Sequence, residues 1–236
     1  MNEATLRSAW LGTVDYGLAL KLQDAMVQAR HAREIGDTLL MMEHPHVYTL
    51  GRGANERFLT APPPGVPIHR VSRGGQVTYH GPGQLIGYPI VHLEGPARDV
   101  HAYLRALESA IIQILGDFDM DSGRREKLTG VWVGSRKIAS IGVGIRRWIT
   151  LHGFALNVNC DLHFFDRIIP CGIDGCRMTS MEREGRPDAD TAGLSECMAR
   201  RFAAVFRYGS IERVSTAEIW RLLDRAGASH LEAHSG

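Results

Sequence analysis

The stretch Arg73-Gly74-Gly75-Gln76-Val77-Thr78-Tyr79-His80-Gly81-Pro82-Gly83-Gln84 sets the terms for reading this chain. Four of its residues are glycine and one is proline, while Arg73, Gln76, Thr78, Tyr79 and His80 supply polar chemistry between them. Glycine lets a backbone approach a ligand closely or adopt positive φ, so such a run can wrap something small and polar. The plainer reading is a tight loop beside a strand.

The elements on either side are regular. Upstream, Ala19, Leu20, Leu22, Ala25, Met26 and Ala29 follow helical spacing from Tyr16 to about Ala32. After Gly36, Asp37 to Glu43 reads as a buried strand that ends at His44-Pro45, and His46 to Leu50 reads as a second short strand before Gly51-Arg52-Gly53. Pro62, Pro63, Pro64 and Pro67 make residues 60–67 an irregular bridge. Downstream, Gly87 to Leu93 is strand-like. Asp99 then stands as the N-cap of a long amphipathic helix carrying Val100, Tyr103, Leu104, Leu107, Ile111, Ile114 and Leu115, with Gly116 as its stop. Strands return over Val131–Val133, Lys137–Ile145 and Ile149–Cys160, and helices around Leu194–Phe206 and after Ser215 close the chain. The second of these helices opens with the Ser215 to Glu218 spacing of a capping box. This order lacks a regular βαβ alternation and a clear boundary. It predicts an α+β fold: a single mixed-sheet domain flanked by helices over residues 1–236.

Composition narrows the class. With 236 residues and 44% apolar side chains the chain has enough material for a substantial core. A formal net charge of +1 gives no overall basic field for nucleic acid, so no nucleic-acid partner is expected. Short basic clusters stand at Arg124, Arg125 and Lys127, at Arg146 and Arg147, and at Arg200 and Arg201. They read as solvated faces, or as local patches that dock an acidic partner. No apolar run is long enough for a signal peptide or a bilayer span, so the expectation is a cytoplasmic protein without a membrane partner. Cys160, Cys171, Cys176 and Cys197 are then expected as thiols rather than disulfides.

Two residues carry candidate chemistry. Lys137 shares a strand face with Ala139, Ile141, Val143 and Ile145, a lysine at the end of an apolar stripe. It either snorkels to water from the strand edge or is partly buried, as a base or as a cation beside an anion. Cys171, between Pro170 and Gly172, is expected on a loop, either as a small hydrophobe or as a nucleophile. Cys171 and Cys176 are spaced as some zinc sites tolerate, with Cys160, His152 or His163 as further ligands. There is no Cys-x-x-Cys pair and no second spaced pair, and no metal is expected.

Five ordered blocks resemble the lipoyl(octanoyl) transferases, a branch of the biotin and lipoate protein ligase superfamily. They are Glu43-His44-Pro45 with Val47 to Gly51, Arg73 to Gln84, Arg136 to Gly142, Leu151 to Asn159, and Pro170-Cys171-Gly172-Ile173. The resemblance implies the mixed catalytic domain of the biotin and lipoate ligases. It also implies N-octanoyltransferase activity on octanoyl acyl carrier protein as donor. The implied acceptor is a lysine of lipoyl domains, either those of 2-oxoacid dehydrogenase complexes or the glycine cleavage H protein. No cofactor is implied, because the thioester already supplies activation. Carried residue by residue, Cys171 falls on the thiol that takes the acyl group as a thioester, and Lys137 on the lysine that activates it. Arg73, Gly74, Gly75, Gln76, Val77, Thr78, Tyr79 and His80 fall on the substrate pocket, together with Ser140, Ile141 and Gly142 and with Gly153, Phe154 and Ala155.

On this assignment backbone amides near Cys171 and Gly172 are candidates for the oxyanion, and Gly74, Gly75, Gly142 and Gly153 leave room for the acyl chain. Arg73 and His80 are either substrate or structural contacts. Two rivals predict different behaviour: an ATP-using ligase of the same superfamily releases pyrophosphate from free acid, and an acyl-binding module binds without turnover. The Pro-Cys-Gly block counts against the ligase, and the pairing of Cys171 with Lys137 counts against the binding module.

Overall fold

The computed structural model describes residues 4–172 and 175–232, with the side chains of Cys171 and of residues 227–232 outside the described set. Strand β1 (Thr5–Thr13) precedes helix α1 (Tyr16–His31), whose N-terminus is capped by Asp15 accepting from Leu18 N. Strands β2 (Thr38–Glu43), β3 (Val47–Leu50), β4 (Ile68–Arg70), β5 (Val77–His80) and β6 (Gln84–Ile90) follow. Helix α2 (Val100–Gly116) is capped by Asp99, whose carboxylate accepts from His101 N and Ala102 N. Then come β7 (Gly123–Arg125), β8 (Leu128–Val133), β9 (Arg136–Arg146) and β10 (Ile149–Asn157). Helix α3 (Thr191–Phe206), strand β11 (Ser210–Arg213) and helix α4 (Thr216–Glu232) complete the order.

The strands form two sheets. An eight-stranded sheet runs β11-β1-β2-β6-β10-β9-β8-β7, parallel at β11-β1-β2 and antiparallel elsewhere. A three-stranded sheet runs β4-β3-β5. Alternation along β2 shows why the large sheet is covered twice. Leu39 and Met41 join the core under α2 and α3, while Leu40 and Met42 join the core under α1 and α4. Tyr48, Leu50, Val77 and Tyr79 of the small sheet pack with Phe165, Ile168 and Met178 into a third core. This mixed sheet flanked by helices is the architecture expected from the sequence.

Several details differ, among them the short strands β4, β7 and β11, which were not read, and β10, which ends at Asn157 rather than Cys160. Strand β1 was not read from the sequence; its residues pair in parallel with β2 and β11, contacts made only through distant chain. The glycine block contains a buried strand, β5, and so is not wholly loop. The cysteine turn is a short 3-10 helix over Pro170–Gly172.

Candidate active site

A cavity of about 220 Å³ lies between the large sheet and the small one. Its walls come from Tyr88 on β6, Gly153 to Ala155 on β10, Ser140 to Gly142 on β9, Leu128 and Thr129 on β8, and the glycine block opposite. The glycine block is stitched to the large sheet by Gly74 N donating to Val143 O at 2.8 Å.

Lys137 lines this cavity and is only 2% exposed, so it does not snorkel to water. Its Nζ donates to Thr129 O at 2.9 Å and lies 5.4 Å from the centre of the Trp132 ring. Gly130, with φ +128°, makes the approach: a Cβ there would meet Lys137 Cε at 2.6 Å.

The backbone beside the cysteine turn meets both cavity walls. Lys137 N donates to Arg177 O at 2.8 Å, and Thr179 N donates to Lys137 O at 2.9 Å, so the segment after the turn runs along the lysine. A Cβ on Gly172, which has φ +68°, would meet Phe58 Cε2 at 2.8 Å and Gln76 Cγ at 3.2 Å, and Gln76 lines the cavity. The Cys171 side chain and Ile173 lie outside the described residues. Gly172 N donates to Ile169 O at 3.1 Å; as an oxyanion donor that amide is already committed to its own turn. Cys160 is buried, which pushes its thiol up to about 12, the condition of an inert core cysteine.

Arg73 lines the cavity but holds the structure together. Its Nη2 donates to Thr49 O (2.8 Å) and Thr49 Oγ1 (2.9 Å), and its Nη1 donates to Gly74 O (2.9 Å). His80 Nε2 lies 3.4 Å from the same Thr49 hydroxyl. Burial first, then His44 and Arg73, holds His80 well below the usual imidazole range, so it is neutral. Gly75, Gln76, Val77, Thr78, Ser140, Ile141, Gly142, Gly153, Phe154 and Ala155 also line the cavity. Gly74 and Tyr79 do not. Tyr79 faces the small-sheet core, where its hydroxyl meets His46 Nδ1 at 2.7 Å and its ring stacks on Phe164.

The glycines serve the protein more than the chain they were expected to admit. A Cβ on Gly153 would meet Gly87 O at 2.1 Å, and one on Gly142 would meet Arg73 Cδ and Gly74 O at 3.0 Å. Their missing side chains let β10 close on β6 and Arg73 close on β9.

Several cavity residues were not assigned to the substrate pocket by sequence: Tyr16, Tyr88, Leu128 and Thr129, together with Lys127, read only in a basic cluster, and His152, named only as a candidate metal ligand. His152 adopts φ +57° inside β10, its amide turned to Gln23 Oε1 (2.7 Å) and its Nε2 3.1 Å from Ser72 Oγ. Burial, then Arg73 and Arg146, lowers its pKa to about 4. The signal was a histidine followed by Gly153 within a strand, the mark of a local break in pairing.

A family model described as the lipoyl protein ligase A/B catalytic domain matches residues 15–203. The chain is 48% identical over 223 residues to an octanoyltransferase of Solibacter usitatus, covering 92% of this chain and 99% of that protein. The fold is similar to a bipartite lipoate protein ligase of Thermoplasma acidophilum, with a TM-score of 0.69 at 15% identity over 94% of this chain and 91% of that one. It is also similar to the biotin protein ligase of Aquifex aeolicus, with a TM-score of 0.50 at 12% identity over 88% and 70% of the two chains.

Proposed function

The chain belongs to the lipoyl protein ligase A/B catalytic domain family and is an acyltransferase of octanoyl transfer in lipoate biosynthesis, and from that premise we propose its donor, nucleophile and acceptor. Octanoyl acyl carrier protein is the donor, Cys171 the nucleophile, and a lysine of a lipoyl domain the acceptor, with residues 1–236 acting as one catalytic unit. The observation that carries this reading is Lys137, buried on the wall of an apolar-lined cavity, with the Arg177–Thr179 segment that follows the Pro170–Gly172 turn bridging to its backbone.

The chemistry then needs no further group. A thiol with an ordinary pKa of about 8.5 is about 3% thiolate at pH 7, and a neighbouring ammonium raises that fraction. The Cys171 thiolate attacks the donor's carbonyl carbon, a new C–S bond forms, and the carrier's sulfur leaves and takes up the proton that Lys137 holds. In the second half, the neutral acceptor amine attacks the acyl-enzyme thioester. Lys137 takes the amine's proton, and the Cys171 sulfur leaves as the amide forms. Burying an octanoyl tail at about 0.8 kcal/mol per methylene contributes on the order of 5 kcal/mol to donor binding.

Incubation with octanoyl carrier protein, followed by intact-protein mass spectrometry and peptide mapping, tests the assignment. One octanoyl group is expected on the peptide containing Cys171, absent from Cys171→Ala and discharged by a lipoyl domain. An octanoyl adduct on the Cys171→Ala protein would sink the assignment.

A further inference from the structure

The cavity has two unlike ends. It crosses the large sheet from β6 through β10 and β9 to β8, three interstrand steps or about 14 Å at about 4.8 Å each. At the β8 end stand Lys137 and the Lys127–Thr129 segment, where the Lys127 side chain is 88% exposed. At the β6 end stand Tyr16 and Tyr88, 3% and 4% exposed. One end is a mouth beside the reactive lysine, and the other is blind.

The blind end is built as a rigid wall of ring faces. His44, fully buried, lies with its Nδ1 2.7 Å from Val14 O, which can only accept, so Nδ1 carries the hydrogen. Its Nε2 therefore accepts from the Tyr88 hydroxyl at 2.8 Å. The Tyr16 ring packs edge-on against His44 at 5.0 Å and stacks on His80 at 5.9 Å. Tyr16 is also the first residue of α1, directly after its Asp15 cap, so its backbone is fixed. The Tyr88 hydroxyl and both His44 nitrogens are thus bonded within the protein, which holds in place the two tyrosines that line this end of the cavity.

We propose that Tyr16 and Tyr88, braced by His44, are the end stop that sets the length of acyl chain this enzyme accepts. The inference rests on the octanoyl-transfer reading above and adds its specificity determinant. A cavity of about 220 Å³ closed at one end by these two rings gives an acyl chain a finite length to occupy. Longer chains must displace the Tyr16 ring.

The test is competition between hexanoyl, octanoyl and decanoyl carrier proteins for one lipoyl domain, with products resolved by intact mass, for wild type, Tyr16→Ala and Tyr16→Trp. Tyr16→Ala is expected to raise the decanoyl-to-octanoyl ratio of kcat/KM by about tenfold, the discrimination a pocket makes over a methylene or two. Tyr16→Trp is expected to move the preference towards hexanoyl. Folded variants that keep the wild-type ratios overturn the end stop while leaving octanoyl transfer intact. If circular dichroism shows Tyr16→Ala to be unfolded, Tyr16→Leu and Tyr16→Trp decide by the same ratios. A wild-type enzyme that transfers no octanoate overturns the functional reading instead. Calorimetric binding of hexanoate, octanoate and decanoate to the same proteins then decides the end stop by itself.

Discussion

Arg73 and Lys137 are buried cations on the walls of one cavity, yet the two sheets hold them in opposite ways. The small-sheet side meets Arg73 with a ring of acceptors, four N–H···O contacts to Thr49 and Gly74. On the large sheet, Lys137 Nζ donates to Thr129 O and lies over the face of Trp132, beside the segment that leads from the cysteine turn. A planar guanidinium with five fixed donors suits a structural clamp. An ammonium on a flexible stem suits a group that must exchange a proton. Under the proposed function, the difference sets a clamped side of the cavity against a side that exchanges a proton.

Replacing each cation by methionine separates the two roles most sharply. Lys137→Met is expected to lower octanoyl transfer by about a thousandfold, the range of a lost general acid-base group, with a melting temperature close to wild type. Arg73→Met leaves the Thr49 and Gly74 acceptors buried without their donor and is expected to cost about 3 kcal/mol in urea unfolding. An Arg73→Met protein as stable as wild type but inactive would erase the distinction, because Arg73 would then belong to the reacting side.

The clamped side also predicts an acid sensitivity. His44 and His152 each have a folded pKa lowered to about 4, in both cases mainly by burial, and Arg73 adds to the effect at His152. The unfolded imidazoles titrate at about 6.5, so below that value the unfolded state takes up protons that the folded state refuses. Stability is therefore whole above about pH 6.5, falls as the pH drops towards 4, and levels off below it. The two histidines together should cost about 2 kcal/mol between pH 6.5 and 5.5, read from urea midpoints. His152→Gln should remove about 1 kcal/mol of the fall. A pH-independent midpoint over this interval would mean that these buried histidines are not held neutral.

The sequence made the large elements legible for local reasons. Helices α1, α2 and α3 carry apolar stripes, and α2 the readable cap Asp99, signals contained within a few turns of chain, whereas the Asp15 and Asp190 caps of α1 and α3 emerge only in the structure. The apolar stripe beside Lys137 was equally visible, but not its depth, because that depends on β8 and on the Arg177–Thr179 segment closing over it. Strand β1 and the blind end of the cavity were hidden for the same reason. Tyr16, His44 and Tyr88 meet only after α1, β2 and β6 have packed, and none stands in a spacing that announces the others. The family motifs were readable, whereas the shape of the space around them was written in non-local contacts.

The mouth offers the smallest effect and the finest test of the reacting side. Of the three basic clusters in the sequence, only that at Arg124, Arg125 and Lys127 contributes to the cavity wall, through Lys127. Buried Glu108 on α2 fixes its hairpin, taking Arg124 Nε at 2.9 Å and Gly130 N at 3.0 Å, while Arg125 lies over the Trp132 ring at 5.0 Å. Lys127 is thus a solvated charge on a braced turn beside Lys137's end of the cavity. By contrast, Arg146 pairs with Asp24 and Arg201 with Asp117, and neither lines it. Exposed charges steer association more than they hold a complex, so Lys127→Glu should lower kcat/KM for octanoyl carrier protein by about fivefold at low salt. The deficit should shrink as salt screens the surface, and it should be larger for the carrier than for a small-molecule octanoyl thioester. Equal losses with both donors would place Lys127 with the acyl chain rather than with the protein that delivers it.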